Sequence, residues 1–185
     1  MGGRAIKTEP RWAPAPSRPS FELESHVFYL FTQIFGRRNR HLAEKLRPLR
    51  LTVPQWRVLA VLRERAGCTM NELADFTTID RTTLTRALDR MVRDGLIERR
   101  SDALDRRSTR LMLTAAGAAA FRRVLPRVVE QNERAMQGFD EGERAALRAL
   151  LHRMIRNLDP DYDRRNGAWL GDRRFDTHDQ QGEPS

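Results

Sequence analysis

Between residues 52 and 94, apolar residues recur at helical spacing in three segments, and a capping residue precedes each segment. Thr52 and Thr69 each stand three residues before a glutamine or glutamate, which is the arrangement of a capping box. Asp80 is the cap of the third segment, and Gly95 after it suits the left-handed conformation that ends a helix. Only residues 77–79 connect the second segment to the third. The pattern therefore predicts a helix-turn-helix.

The third predicted helix, residues 80–94, is amphipathic. Leu84, Leu88, Met91 and Val92 form its predicted buried stripe. The opposite face then carries short hydroxyls near the helix start and arginines further along, which suits contacts with bases and phosphates in a DNA major groove. The predicted DNA-contacting residues of this helix are Arg81, Thr82, Thr83, Thr85, Arg86 and Arg90. A solvated outer face with no binding role is the alternative.

Two strand-length runs, residues 96–100 and 109–113, follow this helix and predict a β-hairpin. The loop between them contains the adjacent arginines Arg106 and Arg107. Asp105 can hold the guanidinium of Arg107 for insertion into a narrow A·T minor groove. For this loop a solvated surface turn is the alternative. Three helices followed by a hairpin predict a winged helix-turn-helix.

Long apolar faces lie on both sides of this unit. Residues 22–46 form one predicted helix, which Pro48 ends, and residues 114–137 form another, which Pro126 is expected to bend. Asp140 caps a last helix. Because these faces are wider than one chain of this size can cover, we expect a twofold homodimer, with a self-contained bundle as the alternative. Such a dimer would place two DNA-reading helices about 34 Å apart.

In order and spacing, these motifs resemble the signature series of MarR-type bacterial transcription regulators, over about residues 21–158. The motifs concerned are Leu51–Leu59, Asn71–Ala74, Thr82–Arg86, Gly95–Ile97, Asp105–Arg107 and Leu113–Thr114 with Gly117. The resemblance implies a homodimer that binds a pseudo-palindromic DNA operator, usually represses nearby genes, and releases DNA when it binds a small, often aromatic, acid. It also implies that Arg107 enters a groove, that Asp105 orients it, and that residues 80–94 form the recognition helix.

We therefore expect a mainly α fold with an α+β wing, divided into three segments. Residues 1–20 are a disordered arm rich in proline and arginine, residues 21–158 are the MarR-like domain, and residues 159–185 are a polar, flexible tail. Within the domain, the winged helix-turn-helix is expected at residues 52–113, between dimerisation helices at 21–47 and 114–158.

Arg38 lies inside the apolar stripe of the first predicted helix, where a charge needs a partner. One expectation is a salt bridge, for example to Glu130 or Glu133. The other is that Arg38 binds the carboxylate or phosphate of an effector, such as a small aromatic carboxylic acid or its coenzyme A thioester. The further residues expected to line this effector cleft are His26, Tyr29 and Trp56.

The formal net charge of +9 favours an anionic partner, and double-stranded DNA is the main candidate. A membrane surface is the rival partner, and the excess of arginine over lysine could equally reflect codon bias in a GC-rich genome. Two other functional classes stay open. These are a nonspecific architectural DNA-binding protein without an effector and a module that binds another protein.

Catalysis and metal binding find little support in the sequence. The four histidines are isolated, and no catalytic, phosphate-binding or dinucleotide-binding motif is present, so we expect neither an enzyme nor a cofactor. Cys68 is the single cysteine, which excludes an intrachain disulfide, and a buried filler is favoured over a sensor thiol. Without a signal peptide or an apolar run of spanning length, the protein is expected in the cytoplasm.

Overall fold

The computed structural model describes residues 22–101 and 109–166. Two short 3-10 turns and nine regular elements make up these residues. The turns are Leu23–Ser25 and Arg47–Leu49; the elements are α1 (Val27–Leu46), α2 (Val53–Glu64), α3 (Met70–Thr77), α4 (Arg81–Arg93), β1 (Ile97–Ser101), β2 (Thr109–Leu113), α5 (Ala115–Ala135), α6 (Glu141–Leu158) and α7 (Tyr162–Asn166). The predicted fold class, mainly helical with a small hairpin wing, is confirmed. The chain divides into two compact units, Met1–Gln131 and Asn132–Ser185.

Three helices of the first unit begin at their predicted caps. The side-chain oxygens of Thr52, Thr69 and Asp80 each accept a hydrogen bond from the backbone N–H three residues later, at 3.4, 3.3 and 2.8 Å. Helix α4 is followed by Gly95 at φ +68°, as its sequence predicted. These caps satisfy N–H groups that the first helical turn leaves without a partner, so they fix where each helix starts.

The hairpin is antiparallel, and its inward face is buried. Ile97 stands opposite Leu113 in the ladder. Leu111 accepts a hydrogen bond from the N–H of Gly67 at 3.0 Å and donates its own N–H to the carbonyl of Cys68 at 2.9 Å. The segment before α3 thus pairs with the outer side of β2, which ties the hairpin to the helical part of the unit.

The core of the first unit is formed by the inward faces of its helices and hairpin. Helix α4 contributes one buried face. Leu84, Leu88 and Met91 are at most 1% exposed, as predicted. The prediction that Val92 belongs to the same stripe is wrong, because its side chain is 36% exposed and Ala87 takes the inward place instead. A residue four positions after Leu88 lies about 40° further around the helix, which places Val92 beyond the buried edge.

Helix α1 starts later than predicted. A 3-10 turn covers Leu23–Ser25, and the extended backbone of His26 separates it from the α-helix that begins at Val27. At the other end Leu42 and Leu46 are fully buried. The large apolar side chains at the start of the chain's described part remain between 45% and 57% exposed; they are Leu23, Val27, Phe28, Leu30, Ile34 and Phe35.

Helix α5 begins against the junction between α4 and β1. The hydroxyl of Thr114 donates to the carbonyl of Gly95 at 2.6 Å and accepts from the N–H of Gly117 at 3.0 Å. Further along, Val124 and Val128 are buried, and Pro126 lies inside the helix. The start of α5 is therefore fixed to Gly95, just after the end of α4, by hydrogen bonds.

In the second unit, Asp140 caps α6 through a capping box, as predicted. Arg144 donates to the carboxylate of Glu133 at 2.9 Å within this unit. The described side chains of α6 include none that is buried, and Leu158 is 72% exposed. Among the residues that the structure describes, no helix has both the length and the apolar character needed to cross a membrane.

Candidate nucleic-acid interface

The outer face of α4 presents a continuous polar surface. The six side chains of α4 singled out from the sequence are all exposed; they are Arg81, Thr82, Thr83, Thr85, Arg86 and Arg90. Four of them make local contacts, and that of Thr83 is with the Asp80 carboxylate. Arg81 donates to the Asn71 amide oxygen at 2.9 Å, Thr85 donates to the Arg81 carbonyl at 2.8 Å, and Arg90 lies 3.5 Å from the Asp94 carboxylate.

Arg86 differs from these neighbours because it has no ion pair or hydrogen bond with any other side chain in the described part of the protein. A guanidinium in the middle of an exposed helix face, with its donors unused, can form two parallel hydrogen bonds to the edge of a guanine. The arrangement of α4 therefore allows direct base contacts through Arg86 and local phosphate contacts through the flanking hydroxyls.

The start of α4 is held by Asp80. Hydrogen bonds from Thr83, first from its backbone N–H, lower the pKa of the Asp80 carboxyl. The charged carboxylate is also favoured by the positive end of the helix dipole. Asp80 thus fixes the first turn of α4, which carries the hydroxyls of the outer face.

The loop of the predicted wing includes Asp105, Arg106 and Arg107, which lie outside the described residues. The strands that lead into this loop are paired up to Ser101 and Thr109. The groove-inserting role of Arg107 therefore stays a prediction.

A groove of about 440 Å³ lies between α4 and β1. It is lined by Arg86, Asp89, Val92, Arg93 and Arg99. Arg99 donates to the Asp89 carboxylate at 2.7 Å. The sequence contained no signal that Arg99 reaches Asp89, because nothing local links residues ten positions apart.

Arg38, the residue predicted to bind the effector, is half-buried in α1. Burial, and then the nearby charge of Arg57, lower the pKa of its guanidinium. Within the described part of the first unit, no carboxylate pairs with Arg38, so the expected salt bridge to Glu130 is wrong. Glu133, the other expected partner, pairs with Arg144. Two neighbouring arginines without an acidic partner would favour an anion.

The other predicted effector residues have different surroundings. Trp56 is only 6% exposed, and its ring stacks on Phe121 with centroids 5.3 Å apart, so it is mainly a core side chain. His26 is exposed at the start of α1, with its ring 6.0 Å from that of Phe28. Tyr29 is half-buried.

A second cavity, of about 300 Å³, is lined in part by Arg57, and the sequence contained no signal for it. Asn39 contributes an amide oxygen that is buried and has no hydrogen-bond partner among the described residues. Arg57 contributes a guanidinium that donates to the Thr77 carbonyl at 3.4 Å. The full lining is Asn39, Val53, Pro54, Arg57, Thr78, Ile79, Asp80 and Thr83. The cavity therefore touches the turn of the helix-turn-helix and the first residues of α4.

Cys68 is 5% exposed, and its thiol donates to the Arg65 carbonyl at 3.0 Å. Burial, with a smaller effect of Glu72, raises the pKa of the thiol to about 11. A buried thiol of high pKa is inert, which supports the interpretation of Cys68 as a filler. Residues 22–101 and 109–166 contain no group of three histidine, cysteine, aspartate or glutamate side chains that could hold a metal ion.

Comparison with known proteins gives a consistent result. A family model described as "MarR family" matches residues 51–108. A MarR-family transcriptional regulator of known structure from Silicibacter pomeroyi is 36% identical, with 74% of this chain and 92% of that chain covered and a TM-score of 0.68. A mutant of Escherichia coli MarR, solved in complex with operator DNA, is 31% identical, with 68% and 91% covered and a TM-score of 0.61. The homoprotocatechuate degradative operon repressor of Escherichia coli is 32% identical over 105 residues, which cover 57% of this chain and 71% of that protein.

Proposed function

The chain belongs to the MarR family of transcriptional regulators, and on that premise we propose that it is a ligand-responsive repressor that binds a pseudo-palindromic DNA operator as a homodimer. The observation that carries the proposal is the outer face of α4, where Arg86 and five other polar side chains are exposed and Arg86 has no side-chain partner among the described residues. Because operator DNA lies in the bacterial cytoplasm, we place the protein there.

Each side chain of the interface has a proposed role. Arg86 reads a base in the major groove, and the hydroxyls of Thr82, Thr83 and Thr85 contact bases or phosphates. Arg81 and Arg90 bind phosphates near the two ends of α4. In the wing, Arg107 enters the minor groove with Arg106 beside it, and Asp105 orients the Arg107 guanidinium.

We propose that the exposed apolar side chains at the start of α1 pack against a second copy of the chain. An exposed patch that includes Phe28, Ile34 and Phe35 is more extensive than isolated surface hydrophobics usually are. Dimerisation helices at residues 21–47 and 114–158 would then flank the winged helix-turn-helix at 52–113. A twofold axis would present two α4 helices to successive major grooves.

For the effector we propose a small aromatic carboxylic acid or its coenzyme A thioester. Burial, and then the nearby charge of Arg57, lower the pKa of Arg38, and a half-buried cation with no carboxylate partner in the described part of the first unit favours an anion. The homoprotocatechuate degradative operon repressor is named for an aromatic acid, which points to the same chemical class. We keep His26, Tyr29 and Trp56 as candidate lining residues.

Release of DNA follows from linkage between the two sites. A ligand that prefers a conformation with wrongly placed α4 helices must weaken operator binding by the same factor by which DNA weakens ligand binding. The cavity beside Arg57 reaches Asp80 and Thr83 at the start of α4, so an occupant there could act directly on the recognition helix.

The test of DNA reading compares Arg86→Ala with the wild type on a duplex from the region upstream of the gene and on single-base variants of it, by fluorescence anisotropy. We expect Arg86→Ala to cost roughly 1 to 3 kcal/mol on the native sequence and to lose discrimination at one base pair. Arg153→Ala, an exposed arginine of α6, is the matched control and should change little. Equal losses on all sequences would instead indicate a nonspecific architectural DNA-binding protein, which the net charge of +9 would suit.

The effector proposal is tested separately by isothermal titration with aromatic acids and their coenzyme A thioesters. We expect saturable binding that weakens in Arg38→Ala, because the variant removes a half-buried cation that has no carboxylate partner in the described first unit. Unchanged affinity in Arg38→Ala would remove this arginine from the site.

A further inference from the structure

The groove between α4 and β1 lies beside the proposed base-reading face, and Arg86 is the one of its described lining residues that has a role in the contacts assigned above. Its lining combines three guanidinium groups, those of Arg86, Arg93 and Arg99, with the single carboxylate of Asp89. An anion is therefore the occupant that its charge favours.

The cations of this groove are available to a ligand. Arg93 is exposed and has no carboxylate within ion-pair distance among the side chains that the structure describes. Arg99 is held by Asp89, with 2.7 Å between Nη2 and Oδ1, while about half of each side chain stays exposed. An exposed pair of this kind contributes little to folding stability, but it restricts where the Arg99 guanidinium can lie. The pair thus holds the Arg99 guanidinium beside the groove.

The position of the groove indicates which anion it binds. When α4 lies in a major groove and the wing in the neighbouring minor groove, the sugar-phosphate backbone that separates those two grooves has to pass between α4 and the hairpin. Arg86 lines the groove from the α4 side and Arg99 from the β1 side.

The end of α4 and the exposed side chain of Val92 both bear on this assignment. The last turns of a helix carry partial negative charge, so an anion beside them depends on side-chain cations such as Arg93. Val92 is 36% exposed and lines the groove, where its apolar surface can face a deoxyribose. No aromatic side chain is among the lining residues, so a planar acid would have nothing to stack on.

Resting on the proposed function, we propose that this groove binds a DNA backbone phosphate. Arg93 and Arg99 bind the phosphate oxygens, and Asp89 is a positioning residue that acts through Arg99. The contact is independent of base sequence and sets the angle at which the wing meets the duplex.

The test measures the salt dependence of binding for Arg99→Gln, Arg93→Gln and the control Arg100→Gln, on the upstream duplex and on a duplex of random sequence. Arg100 is adjacent on the same strand, is exposed, and pairs with Glu98 instead of lining the groove. We expect the slope of log affinity against log salt to fall by about 0.9 for each bound subunit in Arg99→Gln and Arg93→Gln, on both duplexes. Arg100→Gln should keep the wild-type slope.

The Asp89→Asn variant tests whether Asp89 acts by positioning the Arg99 guanidinium or only through its own negative charge. Removal of a negative charge near DNA by itself tightens binding, whereas release of Arg99 from its partner weakens binding and lowers the salt slope. We expect the second result, with no additional loss when Asp89→Asn is combined with Arg99→Gln. Tighter binding by Asp89→Asn would overturn the positioning role.

Three results would overturn the phosphate site itself. One is a slope for Arg99→Gln equal to that of Arg100→Gln. The second is that Arg99→Gln or Arg93→Gln keeps the wild-type DNA affinity but is no longer released from DNA by an aromatic acid. That result would assign the groove to a small-molecule anion. The third is an effect on the upstream duplex alone. If the wild type does not prefer the upstream duplex, the proposed function fails. The slopes of log affinity against log salt on the random duplex still show whether the groove binds a phosphate.

Discussion

Gly117→Ala should destabilise the protein although alanine is the better helix former. In an open helix this substitution stabilises by about 1 kcal/mol. At Gly117, however, an added Cβ would lie 2.0 Å from the carbonyl oxygen of Leu96 and 3.2 Å from a methyl group of Leu113. Real Cβ contacts are essentially never under 3.0 Å, so helix α5 and the Leu96 carbonyl must separate by about 1 Å.

That movement opposes the hydrogen bonds that fix the start of α5 to the end of α4. Leu96 also accepts a hydrogen bond from the backbone N–H of Thr114 at 3.1 Å, so its carbonyl cannot turn away without losing a partner. Overpacking costs roughly 1 to 3 kcal/mol, and a clash with backbone belongs to the upper part of that range, about 2 to 3 kcal/mol, which exceeds the gain of about 1 kcal/mol in helix propensity. We expect a net loss of about 1 to 2 kcal/mol.

The assay is thermal and urea unfolding followed by circular dichroism, at one fixed protein concentration because a dimer's stability depends on it. Gly36→Ala is the control, since a Cβ at this helical glycine meets no atom within 4 Å in the subunit. The control should be neutral or slightly stabilised. A Gly117→Ala protein as stable as the wild type would refute the argument from close contact.

The remaining predictions concern helix α3 and Cys68. Thr69→Ala removes the cap of α3 and should lower the free energy of unfolding in urea by about 1 kcal/mol. Thr82→Ala, on the exposed face of α4, should lower it by less than about 0.5 kcal/mol. Equal losses in the two variants would contradict the capping role. The hydrogen bond from the backbone N–H of Thr69 lowers the pKa of Glu72, so the stability from this carboxylate is present at neutral pH and is lost as the pH falls below the ordinary value of 4.5. When the free energy of unfolding is measured from neutral to acid pH, it should therefore fall less in Glu72→Gln than in the wild type. With the pKa of Cys68 raised to about 11, iodoacetamide at neutral pH should modify the native thiol at least about a hundredfold more slowly than the unfolded one; similar rates would contradict its burial.

The sequence predicted the features that depend on residues three or four positions apart. The caps at Thr52, Thr69 and Asp80 need only a short polar side chain and the N–H of the next turn, so a local pattern is sufficient evidence for them. The same holds for Leu84 and Leu88 in the buried stripe of α4. Val92 was misplaced because the width of a buried stripe depends on what packs against it, here the hairpin and the neighbouring helices.

Contacts between distant positions could not be predicted in this way. The Asp89–Arg99 pair depends on how close β1 runs to α4, and the contact of Gly117 with Leu96 depends on the angle at which α5 leaves the hairpin. Arg38 is an intermediate case. Its place in an apolar stripe indicated a charge in need of a partner, but burial and then the charge of another arginine, Arg57, lower the pKa of its guanidinium in the structure.

The central claim is that two copies of the α4 outer face read one DNA duplex, and footprinting of the region upstream of the gene tests it most directly. The account predicts two protected half-sites whose centres lie about 10 base pairs apart, with protection lost from both in Arg86→Ala. Protection of a single half-site, or an unchanged footprint in Arg86→Ala, would contradict it.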